Sequence, residues 1–265
     1  MTALAYLASR KRAFVLTAGL LLCSTISGAQ AQDKPAFSDQ QRAAIGSIVR
    51  EYLINNPEVI QEALTELDAR QKASEKAATR KALGELQASL LSSPRNIVIG
   101  NPSGDVTLVE FFDYNCGYCK RSLADIRDLV KSDPKLRVVI RDFPVLGPDS
   151  VEASFVAVAA KNQLKGDKYF EFHQKLLESK GRVGKEKALA VAKDMGLDTA
   201  KLQKDMESSE TRAAIEETMK IGDSLKLQGT PAFVVGDEII FGSVGLDPLR
   251  NSITAVRQCG KATCG

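Results

Sequence analysis

The stretch VEFFDYNCGYCKRS, residues 109–122, runs from an apolar, strand-like segment into a helical pattern and carries two thiols at the junction. Cys116 is predicted to lie at or just before the helix N-terminus, where free backbone N–H groups and the helix dipole stabilise a thiolate. Cys119 follows about one turn later, close enough to bond to Cys116. Because a thiol with a lowered pKa is a nucleophile near neutral pH, we expect Cys116 to attack a disulfide and Cys119 to resolve the mixed disulfide.

Cysteines at this spacing also occur in metal sites, so the other possible ligands matter. A tetrahedral zinc or copper site needs a second pair of ligands. The single histidine, His173, lies in the helical pattern YFEFHQKLL and is predicted to be a packed or surface helix residue. Cys259 and Cys264 have four residues between them, which is a poor match to a zinc-knuckle pair. We predict no metal site and no organic cofactor, while an oligomeric metal-binding or scaffold protein is the alternative from another class.

Two further positions fit thiol exchange. Glu110 lies in an otherwise apolar strand, where a carboxylate is costly without a task or a partner. Burial would raise its pKa, which suits a group that relays a proton to or from Cys119; an acid on an exposed strand edge is the alternative. In QGTPAFVV, the Thr230–Pro231 bond is a candidate for the cis form. A cis bond would bring the Thr230 backbone beside the C-x-x-C, free to pair with an extended substrate chain.

Residues 1–31 are typical of a secretory signal peptide. The basic residues 10–12 precede an apolar run of 11 residues and a small-x-small site that ends at Ala31. The run is too short to span a membrane, and Leu22 stands where a lipoprotein signal with Cys23 would need a small residue. We therefore expect cleavage before Gln32 and a periplasmic location.

Removal of this segment changes the charge and the cysteine count. The formal charge of +3 becomes zero, so nothing suggests a nucleic-acid partner. Four cysteines remain, an even number in an oxidising compartment, where they are redox-active or bridged. Cys259 and Cys264 are predicted to form a structural disulfide, with a second redox couple or intermolecular bridges as alternatives.

Residues 32–95 are predicted to form a helical oligomerisation stalk. Ser38 and Gln41 form a capping-box pattern at the start of the first helix. A second helix is predicted over residues 57–91, with Asn56 as its N-cap.

The repeating apolar pattern of this segment is found at its start and is lost over residues 69–82. Apolar residues recur at helical spacing over residues 45–53 and 60–67, and polar residues replace them further along. So short an apolar stretch has too little chain around it for a core of its own, so we expect it to associate with copies of itself. The alternative is that the helices fold back on the catalytic domain.

Residues 96–265 are predicted to form an α/β catalytic domain. Two buried-type strands flank the C-x-x-C helix, and a helical insertion follows at about residues 149–227. A hairpin with its turn at Gly236 and Asp237 and a closing helix complete the order. This order predicts an open sheet with helices on both faces.

The motifs EFFDYNCGYCK, FPVLGPDS and GTPAFVVG resemble those of the bacterial DsbA-type thiol-disulfide oxidoreductases of the thioredoxin superfamily, with coverage of residues 97–258. The resemblance implies a thioredoxin-like fold, Cys116 as nucleophile, Cys119 as resolving thiol, Glu110 as buried acid and a cis bond at Pro231. NNPEVIQEAL also resembles the N-terminal region of the copper-sensitivity-suppressor, or ScsC-like, branch, whose stalks oligomerise and whose members can act as disulfide isomerases. By that resemblance we expect a homo-oligomer, specifically a trimer.

Two departures from the oxidase pattern bear on the reaction. Gly117 and Tyr118 stand between the cysteines, without the histidine of the strong oxidase, and Thr230 replaces a valine before Pro231 and matches the threonine of a disulfide isomerase. We therefore predict an isomerase or reductase of misoxidised or unfolded exported proteins, with a membrane thiol reductase or oxidase as redox partner. The alternative is a dithiol oxidase. Gly117, Tyr118, Thr230 and Pro231 are the expected substrate contacts.

Overall fold

The computed structural model describes residues 37–264, so the predicted signal peptide lies outside the described residues. Contacts within the chain define two compact units that meet in sequence between Glu62 and Ala63. The boundary predicted at residue 95 lies inside the second unit. Among residues 37–264, no helix is both long and apolar enough to cross a membrane.

The first unit contains helix α1, Asp39–Asn55, and the start of α2, Glu58–Glu85. The predicted capping box is confirmed: the Gln41 N–H donates to the Ser38 hydroxyl at 3.3 Å, and the Ser38 N–H donates to the Gln41 side chain at 2.8 Å. Asn56 is the C-cap of α1, and its side-chain amide donates to the carbonyl of Tyr52 at 2.8 Å. Its role as the N-cap of α2 stays a prediction. No residue of α1 is buried.

The second unit is built on a five-stranded mixed sheet. Its strands are β1 Ile97–Gly100, β2 Val106–Phe112, β3 Leu136–Asp142, β4 Ala232–Val235 and β5 Glu238–Phe241. The strand order is β1-β3-β2-β4-β5, with β2 and β3 parallel and the other pairs antiparallel. The predicted hairpin is present, and Gly236 takes the positive φ of 57° that its tight turn requires. The short edge strand β1 was not distinguished in the sequence.

Helices cover both faces of this sheet. Helix α4, Gly117–Ser132, connects β2 to β3, and α10, Leu246–Cys259, follows the hairpin. The insertion between β3 and β4 consists of α5 Pro148–Ala160, α6 Asp167–Glu178, α7 Lys185–Asp194, α8 Thr199–Met206 and α9 Ser209–Ser224. The predicted α/β class with a large helical insertion is therefore confirmed.

Side chains alternate across β2 into two separate cores. Leu108 and Phe112 belong to the first core, which also contains residues of α4, α5, α6 and α10. Val109 and Phe111 belong to the second core. By this alternation Glu110 lies on the same face as the first core, toward α4.

The second core also buries the residues that precede β1. Leu83 of α2 and Leu90 of α3, Gln87–Leu91, are both buried there. The single helix predicted over residues 57–91 is interrupted, since Leu86 separates α2 from α3 with backbone angles of −95° and 0°. Arg141 of β3 donates to the carbonyl of Ser89, which ties α3 to the sheet.

Candidate active site

Cys116 lies at the N-cap of α4, directly after the turn that follows β2. The Cys116 N–H donates to the carbonyl of Asp113 at 3.0 Å, which closes this turn. Cys116 is 6% exposed, whereas Cys119, one turn into the helix, is fully buried. An incoming disulfide therefore meets Cys116 first.

The two thiols have opposite pKa shifts. The pKa of Cys116 is lowered to about 5, chiefly because its thiolate accepts a hydrogen bond from the thiol of Cys119; Thr230 and the backbone N–H groups of Tyr118 and Cys119 add to this, against an opposing effect of burial. The pKa of Cys119 is raised above its ordinary value because the side chain is buried and hydrogen-bonded to Cys116, with a further contribution from the charge of Glu110. At neutral pH the arrangement favours a thiolate at Cys116 and a thiol at Cys119.

The loop before β4 brings a peptide backbone against Cys116. The Thr230–Pro231 bond is cis, and the Cys116 thiol donates to the carbonyl of Thr230 at 3.2 Å. The Thr230 hydroxyl is buried and has no hydrogen-bond partner among residues 37–264, so it is available to a substrate or to the thiolate. A cavity of about 380 Å³ opens at this loop and is lined in part by Gly229 and Phe241.

Glu110 lies in the interior beneath the thiols. It is 2% exposed, and β2 lies between β3 and β4, so the carboxyl is not on a sheet edge. Burial raises the pKa of Glu110 to about 8, with a smaller contribution from the negative charge of Cys116. The carboxyl therefore changes its protonation state just above neutral pH and is electrostatically coupled to both cysteines.

The dipeptide between the cysteines faces solvent. Gly117 has open space on the side where a Cβ would stand. Tyr118 is 58% exposed, and the guanidinium of Arg121 lies 4.2 Å from the centroid of its ring. Together they leave an uncovered surface beside Cys116 on which an extended chain can lie.

His173 is not assigned to the chemistry of the thiols. It is buried, its Nδ1 lies 3.2 Å from the hydroxyl of Tyr114, and burial lowers its pKa to about 3. The imidazole is therefore neutral and supplies no positive charge to a thiolate. No group of three or more His, Cys, Asp or Glu side chains suited to a metal ion occurs among the described residues.

The remaining cysteines are bonded to each other after α10. Cys259 and Cys264 form a disulfide with their Cα atoms 6.1 Å apart. Gly260 ends α10 with a φ of 75°, in the left-handed region that glycine adopts readily. The Ala262 N–H between them donates to Asp237 at 2.9 Å, so this loop packs against the β4–β5 turn.

The polar side chains that shape the turn before Cys116 were not predicted from the sequence. Asp113 and Ser150 are buried, and both are hydrogen-bonded to Asn115. Asp and Asn two residues apart, just before a helix, favour a turn closed by a side chain, and this signal was available. Ser150 ends the motif FPVLGPDS, but its partners lie 35 and 37 residues away in the chain.

Comparison with known protein families supports two distinct regions. Residues 107–254 match the family described as "DSBA-like thioredoxin domain", and residues 41–74 match "Copper resistance protein ScsC N-terminal domain". The predicted thioredoxin-like fold and the predicted ScsC-like branch are both confirmed by these matches.

Curated relatives match the chain over about three-fifths of its length. Disulfide bond formation protein D of Bacillus subtilis is 26% identical over 181 residues, which cover 63% of this chain and 78% of that protein. Na(+)/H(+) antiporter NhaA 1 of Salinispora arenicola is 27% identical over 163 residues, or 61% of this chain. The chain spans only 24% of the length of that antiporter.

Solved structures with similar folds cover more of the chain. A thioredoxin-like oxidoreductase from Silicibacter pomeroyi DSS-3 is 42% identical, with a TM-score of 0.62, and covers 65% of this chain and 98% of that one. ScsC of Proteus mirabilis in a transitional conformation is 28% identical, with a TM-score of 0.58, and covers 81% of this chain and 94% of that one.

Proposed function

Because the chain belongs to the DSBA-like thioredoxin-domain family, we propose that it is a thiol-disulfide oxidoreductase that reshuffles or reduces disulfides in exported proteins. The observation that carries this proposal is the pair of thiols with opposite pKa shifts beside a cis-proline loop. Cys116 is favoured as the attacking thiolate, and Cys119 stays protonated until the mixed disulfide has formed.

The first step is attack by the Cys116 thiolate on one sulfur of a substrate disulfide. A new bond forms between Cys116 and the substrate, and the other substrate sulfur leaves as a thiolate. In isomerisation, that released thiolate attacks a second substrate disulfide, and a substrate thiolate finally displaces Cys116. The enzyme recovers its starting state with no net transfer of electrons.

Reduction uses the same mixed disulfide but a different attacking group. Cys119 loses its proton and attacks the Cys116 sulfur, which releases a reduced substrate and leaves a Cys116–Cys119 disulfide. Two electrons pass to the substrate, and a membrane thiol reductase would restore the dithiol. Glu110 is coupled to Cys119 and has a pKa of about 8, so we assign its ionised form, the minor one at neutral pH, to accept the Cys119 proton.

We propose reshuffling rather than simple oxidation because no cationic histidine lies beside Cys116 in the described part of the chain. Gly117 and Tyr118 contribute no imidazolium, and His173 is buried and neutral. A thiol with a pKa of about 5 is also a good leaving group, which assists release of the substrate from Cys116 in isomerisation and in oxidation alike. We assign substrate contacts to Tyr118, Gly117 and the Thr230–Pro231 loop, where an extended chain can pair with the backbone.

We also propose that the protein works in the periplasm as a homo-oligomer, with three copies as the expected number. Support comes from the ScsC N-terminal match over residues 41–74 and from the exposed apolar side chains of the same region. Ile45, Ile48, Val49, Tyr52, Ile60, Leu64 and Leu67 are all exposed in the single chain.

Refolding of a scrambled, disulfide-rich protein tests the proposal. The wild type should restore native disulfides, Cys116→Ala should be inactive, and Cys119→Ala should retain slow isomerisation while accumulating mixed disulfides. Full activity of Cys116→Ala would refute the assigned nucleophile. A parallel assay of dithiol oxidation tests the second candidate function, a dithiol oxidase. An oxidase would be active in the oxidation assay and inactive in the refolding assay.

A further inference from the structure

We infer that Asn115 is a positioning residue that fastens the Cys116 turn to the helical insertion and thereby sets the reactivity of Cys116. The inference rests on the proposed function, in which Cys116 is the nucleophile. It concerns the loop of residues 179–184 between α6 and α7, to which the proposed chemistry assigns no task. Three features fasten this loop: the Asn115 amide, the buried Asp113 carboxylate beside it, and a hydrogen bond from Lys120 at the other end of the loop.

The side-chain amide of Asn115 binds the insertion in the manner of a paired strand. Its Nδ2 donates to the carbonyl of Val183 at 2.9 Å, and the Val183 N–H donates to its Oδ1 at 2.7 Å. The Nδ2 group also donates to the hydroxyl of Ser150 at 3.0 Å. The Val183 side chain is fully buried, so this contact is not a loose surface pairing.

A buried carboxylate holds Asn115 in place for this contact. Asp113 is fully buried, and its Oδ1 accepts from the Asn115 N–H at 2.8 Å and from the Ser150 hydroxyl at 2.7 Å. Its Oδ2 accepts from the Leu146 N–H at 3.0 Å. Asp113 thus connects the turn before Cys116 to the segment after β3 that contains FPVLGPDS.

The other end of the loop is tied to the same helix. Lys120, one turn into α4, donates from its Nζ to the carbonyl of Ser179 at 2.9 Å. Asn115 and Lys120 lie on either side of Cys116 in the sequence. Asn115 binds residue 183 of the loop, and Lys120 binds residue 179. The insertion loop braces the start of α4.

Reactivity depends on this bracing because the thiolate is stabilised by short-range bonds. Cys116 needs its sulfur within reach of the Cys119 thiol, the Thr230 side chain and the first N–H groups of α4. Such bonds weaken steeply as distance and angle depart from their optimum. A turn released from the insertion samples positions in which these bonds are longer, and the thiolate becomes less favourable.

The test is Asn115→Ala in the full mature protein, compared with Asn101→Ala as a matched control. Asn101 also clasps the backbone, since its Nδ2 donates to the Pro134 carbonyl at 2.8 Å and its Oδ1 accepts from the Ser103 N–H at 2.9 Å. It lies before β2, at the end of the sheet opposite Cys116. The readouts are hydrogen exchange of the Val183 amide and the alkylation rate of Cys116 across pH.

We expect Val183 exchange in Asn115→Ala to rise at least about tenfold, because its N–H loses its acceptor. Alkylation of Cys116 should slow by about fivefold at a pH equal to the wild-type pKa and by about tenfold well below it, as expected for a rise of about one pKa unit, and should match the wild type in alkaline solution. Asn101→Ala should match the wild type in both readouts. Ser150→Ala removes only part of this hydrogen-bond network and should shift both readouts in the same direction by a smaller factor. It replaces Asn115→Ala as the test variant if Asn115→Ala does not fold.

An alkylation profile that stays unchanged while Val183 exchange rises would overturn the positioning role. Unchanged Val183 exchange, or an equal shift in Asn101→Ala, would do the same. Failure of the proposed function is separable from these outcomes. If the wild type does not refold scrambled protein but Asn115→Ala still alters Cys116 alkylation, the function is wrong and the positioning role stands.

Discussion

Cys116 lies at the open end of α4, whereas Cys119 lies one turn inside it and is fully buried. That difference places one sulfur among hydrogen-bond donors and the other among apolar side chains. The thiolate of Cys116 accepts hydrogen bonds from the Cys119 thiol and from backbone N–H groups. Loss of the Cys116 proton therefore makes it harder to remove the proton of Cys119. In the proposed mechanism the pair therefore separates attack from resolution without a charged histidine.

This separation predicts the labelling order of the reduced protein. Cys116 should react first with an alkylating reagent, at a rate that is level in neutral solution and falls as the pH drops through about 5. Cys119 should stay unmodified across that range because burial and the Cys116 charge disfavour its thiolate. Mass spectrometry of peptides after timed alkylation measures both sites, with Cys116→Ala as the control. Earlier labelling of Cys119 would reverse the assigned roles.

Glu110 predicts a pH dependence of stability whose sign is fixed by its environment. Its pKa rises from 4.5 to about 8 on folding, so the favourable burial of the neutral acid is complete below 4.5 and is lost as the pH rises through 8. Glu110→Gln should therefore be more stable than the wild type at pH values above 8, by at most about 5 kcal/mol, and nearly equal to it at pH values near 4.

Denaturant unfolding of the reduced proteins at both pH values measures this difference. Glu216→Gln, at an exposed position on α9, is the matched control and should behave like the wild type at both. In the assigned role, Glu110→Gln should also slow the attack of Cys119 on mixed disulfides while leaving the pH profile of Cys116 alkylation nearly unchanged. Equal stability of Glu110→Gln and wild type in alkaline solution would contradict the raised pKa.

At the scale of elements, the end of α10 offers a contrast to the catalytic thiols. The Cys259–Cys264 disulfide closes a short loop whose Ala262 is buried and bonded to the β4–β5 turn through Asp237. Because the loop is so short, the entropy model limits its stabilisation to about 2 kcal/mol. A contribution of that size helps to hold α10 against the hairpin, but the core does not depend on it.

We therefore predict that the double variant Cys259→Ala, Cys264→Ala folds, loses up to about 2 kcal/mol of unfolding free energy and keeps its exchange activity. Denaturant unfolding and the refolding assay measure the two effects, and non-reducing peptide mapping of the wild type tests the bond itself. A second redox couple would instead show loss of activity in the double variant. Free thiols at both positions in the wild type would remove the premise.

Elements with a strong local pattern could be predicted from the sequence. The apolar run of β2, the tight turn at Gly236 and the capping box at Ser38 each carry their signal within a few residues. The four-residue strand β1 has no such pattern, since its identity comes from pairing with β3 about 40 residues later. The break at Leu86 likewise depends on a tertiary contact, the burial of neighbouring residues against the sheet.

The candidate site divides along the same line. Cys116, Cys119 and the Thr230–Pro231 loop were identified because their chemistry is visible in short motifs. Asn115 stood in the same motif, but its partner Val183 is 68 residues away, and nothing local points to that pairing. Residues that position a reactive group are revealed only by contacts in the folded chain. Reactive groups can be recognised in the sequence from residue type and spacing.

At the scale of the whole molecule, the N-terminal helices expose apolar side chains that the single chain does not bury. Helix α1 buries no residue, and apolar side chains stay exposed along α1 and the first half of α2. Many exposed apolar side chains on one pair of helices are unusual for a monomer, so we propose this region as the interface between copies of the chain. Leu83 and Leu90, by contrast, are buried in the second core, so the packing of the later helices is already satisfied within the chain.

An isomerase has to stay reduced in an oxidising compartment, and oligomerisation provides a steric means to exclude a membrane oxidase. If the exposed face of α1 supplies the interface, Ile48→Glu with Tyr52→Glu should convert the full mature protein to a monomer, because each copy would bury a charge. The monomer should lose isomerase activity and gain dithiol oxidase activity, since its thiols become accessible to the oxidase. Glu51→Gln, an exposed change on the same helix, should alter neither property.

Light scattering gives the oligomeric state of each variant, and paired isomerase and oxidase assays give the activities. A second form that lacks residues 33–62 removes the first unit while keeping the buried Leu83 and Leu90, and it should behave like the double variant. The interface account fails if the wild type is already monomeric at micromolar concentrations, or if the monomeric variant isomerises at the full rate. Retention of the oligomer in the double variant, with loss of it on removal of residues 33–62, would place the interface elsewhere in the first unit, because only that unit differs between the two forms.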